Sequence, residues 1–237
     1  MRNFIGTRRL FPALVAVGAL LAVLLVAVPL LLLHRANTSA APHAGPSPTT
    51  SPVPVPSGAV TLVAGARLDD GVQVGYPHTM VGAISAASTY LDAVASTLDP
   101  DYAASVMRVA GANAALPADL AASTVTLRAD LQLPTSGPLD PPVTFQTIAE
   151  MYQLRDATAN DVLVLLLTDS TFVNARGGMA QTTGVFPVRM RWTGGDWKLA
   201  SIGGAGASYS SLAATPDTQS AAGQGWLALI AATGGAS

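Results

Sequence analysis

The sequence contains no cysteine, a single glutamate (Glu150) and a single lysine (Lys198). No disulfide can staple the fold, so a domain formed by this chain must be held by its core, which a chain of this length can supply. The same absence removes a thiol nucleophile, thiolate metal sites and a lipid-anchor cysteine. Charged residues are 11% of the chain and aromatics 5%; about 25% charged is usual for a soluble domain. Of three histidines, His34 and His43 fall in a proline-rich stretch, which leaves His78 as the one imidazole of the remaining chain. With a single such histidine there is no Ser-His-Asp order to argue. Phosphate-binding loops and zinc-ligand spacings are also absent. No metal or cofactor is expected, and no catalytic residue is assigned.

What the chain does have is an uninterrupted apolar run. Leu10–Leu33 carries no charged or polar side chain over 24 residues. At ~1.5 Å per residue it is long enough to cross the ~30 Å hydrocarbon core of a bilayer. A cleaved signal peptide shares its basic leader, but a signal's apolar region is only about 7–15 residues, so the length favours a retained anchor. Arg2, Arg8 and Arg9 precede the run and Arg35 alone follows closely. The positive-inside rule then puts residues 1–9 in the cytoplasm as a basic tail and the rest of the chain outside the cell membrane. Gly18 and Ala22 form one small-xxx-small pair that Leu14 and Val26 do not extend, so self-association through the span has little support.

Residues 34–58, HRANTSAAPHAGPSPTTSPVPVPSG, read as a disordered linker rich in Pro, Ser and Ala. Its prolines bar helix and central strand, and the SPVPVP repeat favours the extended polyproline conformation. Residues 59–237 then form one extracytoplasmic domain. Beyond residue 60 there are eight basic residues against fourteen acidic ones, a net −6. Such a domain is a poor match for a phosphate backbone, and no nucleic-acid partner is expected.

Within that domain the hydrophobic period changes partway. A short strand, Val60–Val63, and a turn at Asp69-Asp70-Gly71 lead to a helix capped by Thr79, with Val81, Ile84, Leu91, Val94 and Leu98 at helical spacing. Asp99-Pro100-Asp101 starts a second helix running to Gly111, and Pro117 a third to about Leu131. From Val143 the pattern is that of strands. Val143–Arg155 is one. Val162–Leu167, bounded by Asp161 and Asp169, reads as a strand buried on both faces. Gln181–Trp192 is the next, with Pro187 at a bulge or edge position. Thr193-Gly194-Gly195-Asp196 reads as a four-residue hairpin loop that sets Trp192 opposite Trp197 and Met190 opposite Leu199. Thr215-Pro216-Asp217 starts a C-terminal helix through Trp226 to Ile230.

Arg189, Arg191 and Lys198 then share the outer face of the terminal hairpin, where solvation is the default and a protein-partner patch the functional alternative. Glu150, Asp169 and His78 are the groups a catalytic pocket would have to use.

Helices followed by antiparallel strands ending in WTGGDWKL resembles the nuclear-transport-factor-2-like (cystatin-like) roll, an α+β fold whose curved antiparallel sheet wraps around an N-terminal helix. Trp192, Gly195, Trp197, Lys198 and Leu199 match its terminal W-x-x-G-x-W-K-apolar hairpin, and the resemblance covers about Thr79–Ile202. One span, an extended linker and one such outer domain is similar to assembly subunits of type IV secretion and conjugative transfer machines. The segment VGYPHT (Val74–Thr79), followed by Gly82-Ala83, resembles exported actinobacterial proteins found with mobile elements, and the Ala, Gly, Pro, Asp and Arg bias fits a GC-rich genome. The resemblance implies a non-enzymatic membrane protein that binds protein partners and can form homo-oligomers. The alternative is a small-ligand-binding or isomerase/hydratase-like domain that uses the pocket of the roll.

Overall fold

The computed structural model describes residues 53–203 and 209–231. The span Leu10–Leu33 and the linker as far as residue 52 lie outside the described residues. Among the described residues no helix is long and apolar enough to cross a membrane.

The fold is α+β, with helices packed against a mostly antiparallel, curved sheet. Strand β1 (Val60–Thr61) and a small hairpin of β2 (Arg67–Asp69) and β3 (Val72–Val74) come first. Helices α1 (Met80–Ala95), α2 (Pro100–Ala110) and α3 (Leu116–Asp130) follow. The long strands β4 (Thr144–Arg155), β5 (Asp161–Val173), β6 (Met179–Thr193) and β7 (Asp196–Ile202) form a meander. A 3₁₀ turn (Ser210–Leu212), a short α4 (Gln219–Gly223) and β8 (Leu227–Ile230) complete the described chain. The sheet order is β1-β8-β4-β5-β6-β7, and only β1 and β8 run parallel. Bulges between Ala149 and Met151 and between Arg189 and Met190 interrupt the register and bend the strands.

The helix starts form as their side chains dictate. Thr79 Oγ1 accepts from the Gly82 N–H at 3.0 Å, and Asp99 Oδ1 accepts from the N–H groups of Asp101 and Tyr102. Gly82 is required by close approach, because a Cβ there would sit 2.0 Å from the Pro77 carbonyl oxygen. Ala and Ser on α1 let the chain before β2 pass close, and Ser85 Oγ accepts from the Val63 N–H at 3.0 Å. Helix α3 ends in a Schellman arrangement: Gln132 takes a left-handed φ of 58°, and Leu133 N–H reaches Arg128 O at 2.8 Å.

Two apolar layers sandwich the sheet. On the inner face, Ile84, Tyr90 and Leu91 of α1 meet Tyr152, Val164, Leu166, Val188, Met190, Trp197 and Leu199. On the outer face, Met151, Leu165, Leu167 and Val185 are covered by Ala221 and Trp226, with Tyr209 and Leu212 against them. Leu165, Leu166 and Leu167 are all fully buried, as a strand covered on both sides requires.

The terminal hairpin keeps the expected register, Trp192 opposite Trp197 and Met190 opposite Leu199. Its loop is shorter than expected. Thr193 pairs with Asp196, so only Gly194 and Gly195 turn, at φ 62° and 80°, as a two-residue type I′ turn requires. Pro187 sits where β7 ends: its carbonyl accepts from Gly203 N–H, and its missing donor falls at that last rung.

Two expectations are corrected. The C-terminal helix through Ile230 is instead the short α4, capped by Thr218, followed by β8 paired with β4 and β1. Gly225 at φ 87° turns the chain from one to the other. Nor is Lys198 a solvated residue. Its Nζ donates to Val109 O at 2.8 Å and lies 3.3 Å from Asp196 Oδ2, whose side chain is only 5% exposed.

These packing facts set apart two neighbouring substitutions. Trp197→Ala removes a fully buried indole that donates to Pro77 O, and should cost ~3–5 kcal/mol in chemical denaturation. Lys198→Ala leaves the buried Asp196 carboxylate without its cation and should cost about 1–3 kcal/mol. A Lys198→Ala loss below ~0.5 kcal/mol, the range of an ordinary surface change, would show that Asp196 does not depend on this partner.

Candidate functional site

The inner face of the sheet is not filled along its whole length. Between α1, α3 and the strands lies a cavity of about 80 Å³. Leu91, Val94, Leu120, Leu127, Phe145, Phe186 and Ile202 supply apolar wall, and Ser123, Thr124, Thr147 and Ser170 supply hydroxyls. The cavity exists because α3 packs mainly on α2 and stands off from the sheet. The hydroxyls are already engaged. Thr147 Oγ1 and Ser170 Oγ share a hydrogen bond of 2.9 Å, while Thr124 and Ser123 donate to the carbonyls of Leu120 and Asp119 one turn back.

None of the titratable residues singled out from the sequence lines this space. His78 stacks on Trp192, ring centroids 4.0 Å apart and planes 9° from parallel, and its Nε2 lies 2.9 Å from both Ala159 O and Asn160 Oδ1. It joins the start of α1 to the β4–β5 turn. Asp169 alternates with the cavity-lining Ser170, so it points to the opposite face, where it accepts from Thr183 Oγ1 at 2.6 Å. Glu150 occupies the β4 bulge; its pKa is raised first by desolvation, then by Asp169 and Asp217. The structure therefore brings Glu150 near Asp169 on the outer face and leaves His78 elsewhere.

Arg189, Arg191 and Lys198 do lie together on the hairpin, but most of their charge is answered within the domain. Asp161 pairs with Arg189 and, at 3.2 Å, with Arg191, and Asp156 lies 3.5 Å from Arg189. Arg191 has the most open side chain of the three, 58% exposed against 34% and 20%.

Two features escaped the sequence. Ser96 and Asp92, four residues apart at the end of α1, sit against the part of β4 that β8 leaves uncovered. Ser96 Oγ donates to Thr147 O and accepts from Thr147 N–H, at 3.2 and 3.3 Å, and the Ala149 backbone hydrogen-bonds the Asp92 carboxylate. Helical spacing on one element thus matches alternate residues on a strand edge. Burial pushes the Asp92 carboxyl up to about 7, with Glu150 adding and the Ala149 bond opposing. The second feature is Arg128, whose side chain is fully buried. An arginine in the last turn of a helix reads as a dipole partner at the surface, and nothing nearby in the sequence marks it as enclosed.

The fold and site together define an α+β domain with a small, mainly apolar cavity that, among the described residues, no acidic, basic or histidine side chain lines. The chain belongs to the family described as Domain of unknown function (DUF8175), whose model matches residues 35–223. That range takes in the proline-rich linker and α4 and stops short of Trp226 and β8. No curated protein and no solved structure matches.

Asp92 makes stability depend on pH. Its folded pKa of about 7 lies above the ordinary 3.8, so unfolding releases a proton between those values. The favourable contribution is complete below about pH 4 and is lost as pH rises to about 7. The melting temperature should therefore be several degrees higher at pH 5 than at pH 8. Asp92→Asn should flatten most of that slope and leave the smaller part due to Glu150. An unchanged slope in Asp92→Asn would locate the titrating group elsewhere.

Proposed function

We propose that this chain is a single-pass membrane protein whose outer domain works by binding rather than by catalysis. It holds protein partners in a membrane assembly of the secretion or conjugative-transfer kind. The observation that carries this reading is where the reactive groups lie. His78 is stacked against Trp192, Asp169 points away from the cavity, and the cavity wall offers hydroxyls but no acid or base. A hydratase or isomerase moves protons and needs a positioned acid or base at its pocket.

The finer fold reading, a cystatin-like roll, is supported by α1 lying along the inner face of the meander and by the terminal tryptophan hairpin in its expected register. Membrane attachment is supported by the uncharged Leu10–Leu33 run and the basic residues before it. The last linker residues already touch the domain, with Val53 against the core and Gly58 O accepting from Tyr152 OH at 2.8 Å. In this reading the N-terminus is cytoplasmic, the domain is extracellular, and the Arg189, Arg191 and Lys198 face is the partner surface.

The absence of native cysteine makes topology directly measurable. Ser57→Cys in intact cells should react with a membrane-impermeant maleimide, and Asn3→Cys should react only after lysis. Labelling of Asn3→Cys in intact cells would reverse the orientation, and a mature chain starting near Ala41 would remove the anchor.

The assembly role predicts that the full chain, extracted from its native membrane, migrates on native gels well above the monomer. Arg191→Glu should reduce that species while costing about 1 kcal/mol of stability, since Arg191 is 58% exposed and Asp161, though only 22% exposed, keeps Arg189 as its cation. Monomeric migration of the unaltered chain would overturn the assembly role, and an unchanged complex in Arg191→Glu would move the partner surface elsewhere.

A further inference from the structure

The edge of β4 that faces away from β5 is covered over most of its length, and the cover has a gap. Met151 and Tyr152 pair with β8, the Ala149 backbone meets the Asp92 carboxylate, and Thr147 meets Ser96 Oγ. Thr147 turns both its N–H and its C=O to this edge. The register with β5 runs unbroken from Thr144 to Ala149, so alternation turns both groups of Phe145 the same way. Among the described residues, neither has a hydrogen-bond partner there. Two residues earlier, Val143 N–H is already bound to Asp140 O at 3.0 Å, which ends the gap.

The gap lies in a surface groove of about 690 Å³. The α1–α2 junction lines it with Asp99 and Tyr102, the chain before β4 with Leu139 and Val143, and β4 itself with Phe145 and Gln146. An open N–H and C=O on one residue of a strand edge is the hydrogen-bonding pattern of another strand, and main-chain bonds of this kind hold extended peptides on sheet edges. The same edge already accepts a very short strand, because β8 pairs with β4 at only two residues, Met151 and Tyr152. Asp99 is the one charged residue lining the groove. Its Oδ1 caps α2, and among the described residues its carboxylate makes no ion pair. A basic side chain on an incoming strand complements it. The residue opposite Phe145 shares its face of the sheet, so an apolar side chain fits there.

We propose that the Phe145 edge of β4 is a docking site for an extended, basic peptide segment, which joins the sheet as an added strand. Phe145 supplies its N–H and C=O, an apolar side chain of the segment lies next to Phe145, and a basic one reaches Asp99. Ser96 sets where pairing stops, since it occupies both groups of Thr147. Backbone bonding makes the site tolerant of sequence, and Asp99 favours a cationic segment. In the sheet order β5 separates β4 from the β6–β7 hairpin, so the site does not rest on the Arg189, Arg191 and Lys198 face.

The test uses the full chain in lipid nanodiscs and the end-blocked peptide Lys-Val-Thr-Val-Thr-Val-Lys, titrated into the millimolar range. Binding is read from amide hydrogen exchange resolved to single residues. At saturation, exchange at Phe145 should slow at least tenfold while the amides of β7, on the opposite edge, stay unchanged. A control peptide N-methylated at each valine and threonine keeps the side chains and removes the donors a strand needs; it should lose at least tenfold in affinity. Replacing both lysines by glutamate should weaken binding at least threefold. Asp99→Asn, which keeps a good helix cap, should abolish that difference. No slowing at Phe145, equal affinity of the methylated control, or a lysine preference that survives Asp99→Asn would each overturn the proposal. A Phe145 amide that is protected without peptide, and loses protection with one chain per nanodisc, would assign the edge to a second copy and overturn it as well.

Discussion

The corner at Tyr76–His78 and the terminal hairpin hold each other, and the rest of the domain is arranged by that contact. Trp197 Nε1 donates to Pro77 O at 3.1 Å, and Tyr76 N–H donates to Asp196 Oδ1 at 3.0 Å. His78 stacks on Trp192, and Tyr90 OH reaches Trp197 O. These bonds join positions 107 to 120 residues apart in the chain. They fix where α1 begins relative to the strand that ends the meander. Once both are fixed, α1 can only run along the inner face, where Ile84 and Leu91 find the sheet.

That placement carries the far end of α1 to an open strand edge. As the meander curves, β8 pairs with β4 only at Met151 and Tyr152, which leaves the earlier part of β4 without a neighbouring strand. Unpaired strand edges invite foreign strands. Here Ser96 and Asp92 take the place of a strand, at the cost of a carboxyl raised by burial. The opposite edge is closed by the chain after α2, where Gly111 bridges Leu199 and Ala112 N–H donates to Leu199 O. Helix α3 is left to pack on α2, and the cavity is the gap between it and the sheet.

Local rules made much of this legible. The caps at Thr79 and Asp99, the both-face burial of Leu165–Leu167 and the Trp192–Trp197 register are consequences of side chains a few residues apart. What could not be read depends on distant partners. Lys198 alternates correctly to the outer side, but β7 is the edge strand, so the lysine can wrap to the last carbonyls of α2. The tail from Gln219 has helical composition, yet Leu227–Ile230 becomes a strand because β4 and β1 offer edges to pair with. Arg128 is enclosed by the chain beyond α3, which folds back through Gly137, and no periodicity records such a return. The groups that looked most chemical, His78 and Asp169, are the ones with ordinary structural partners.

The parallel pairing of β1 with β8 has a mechanical consequence. A pull on the N-terminal side meets the Val53 packing contact, then the Tyr152–Gly58 bond, and then the two rungs Val60–Leu229 and Thr61–Ile230, backed by Leu62 N–H to Ile230 O. This short clasp lies in series ahead of the long β4–β5–β6 ladder. With two rungs against the many of the long ladder, the clasp yields first under tension while the curved sheet keeps its shape. The domain therefore has a fuse on its N-terminal side, and the face built on β6 and β7 lies across the sheet from it.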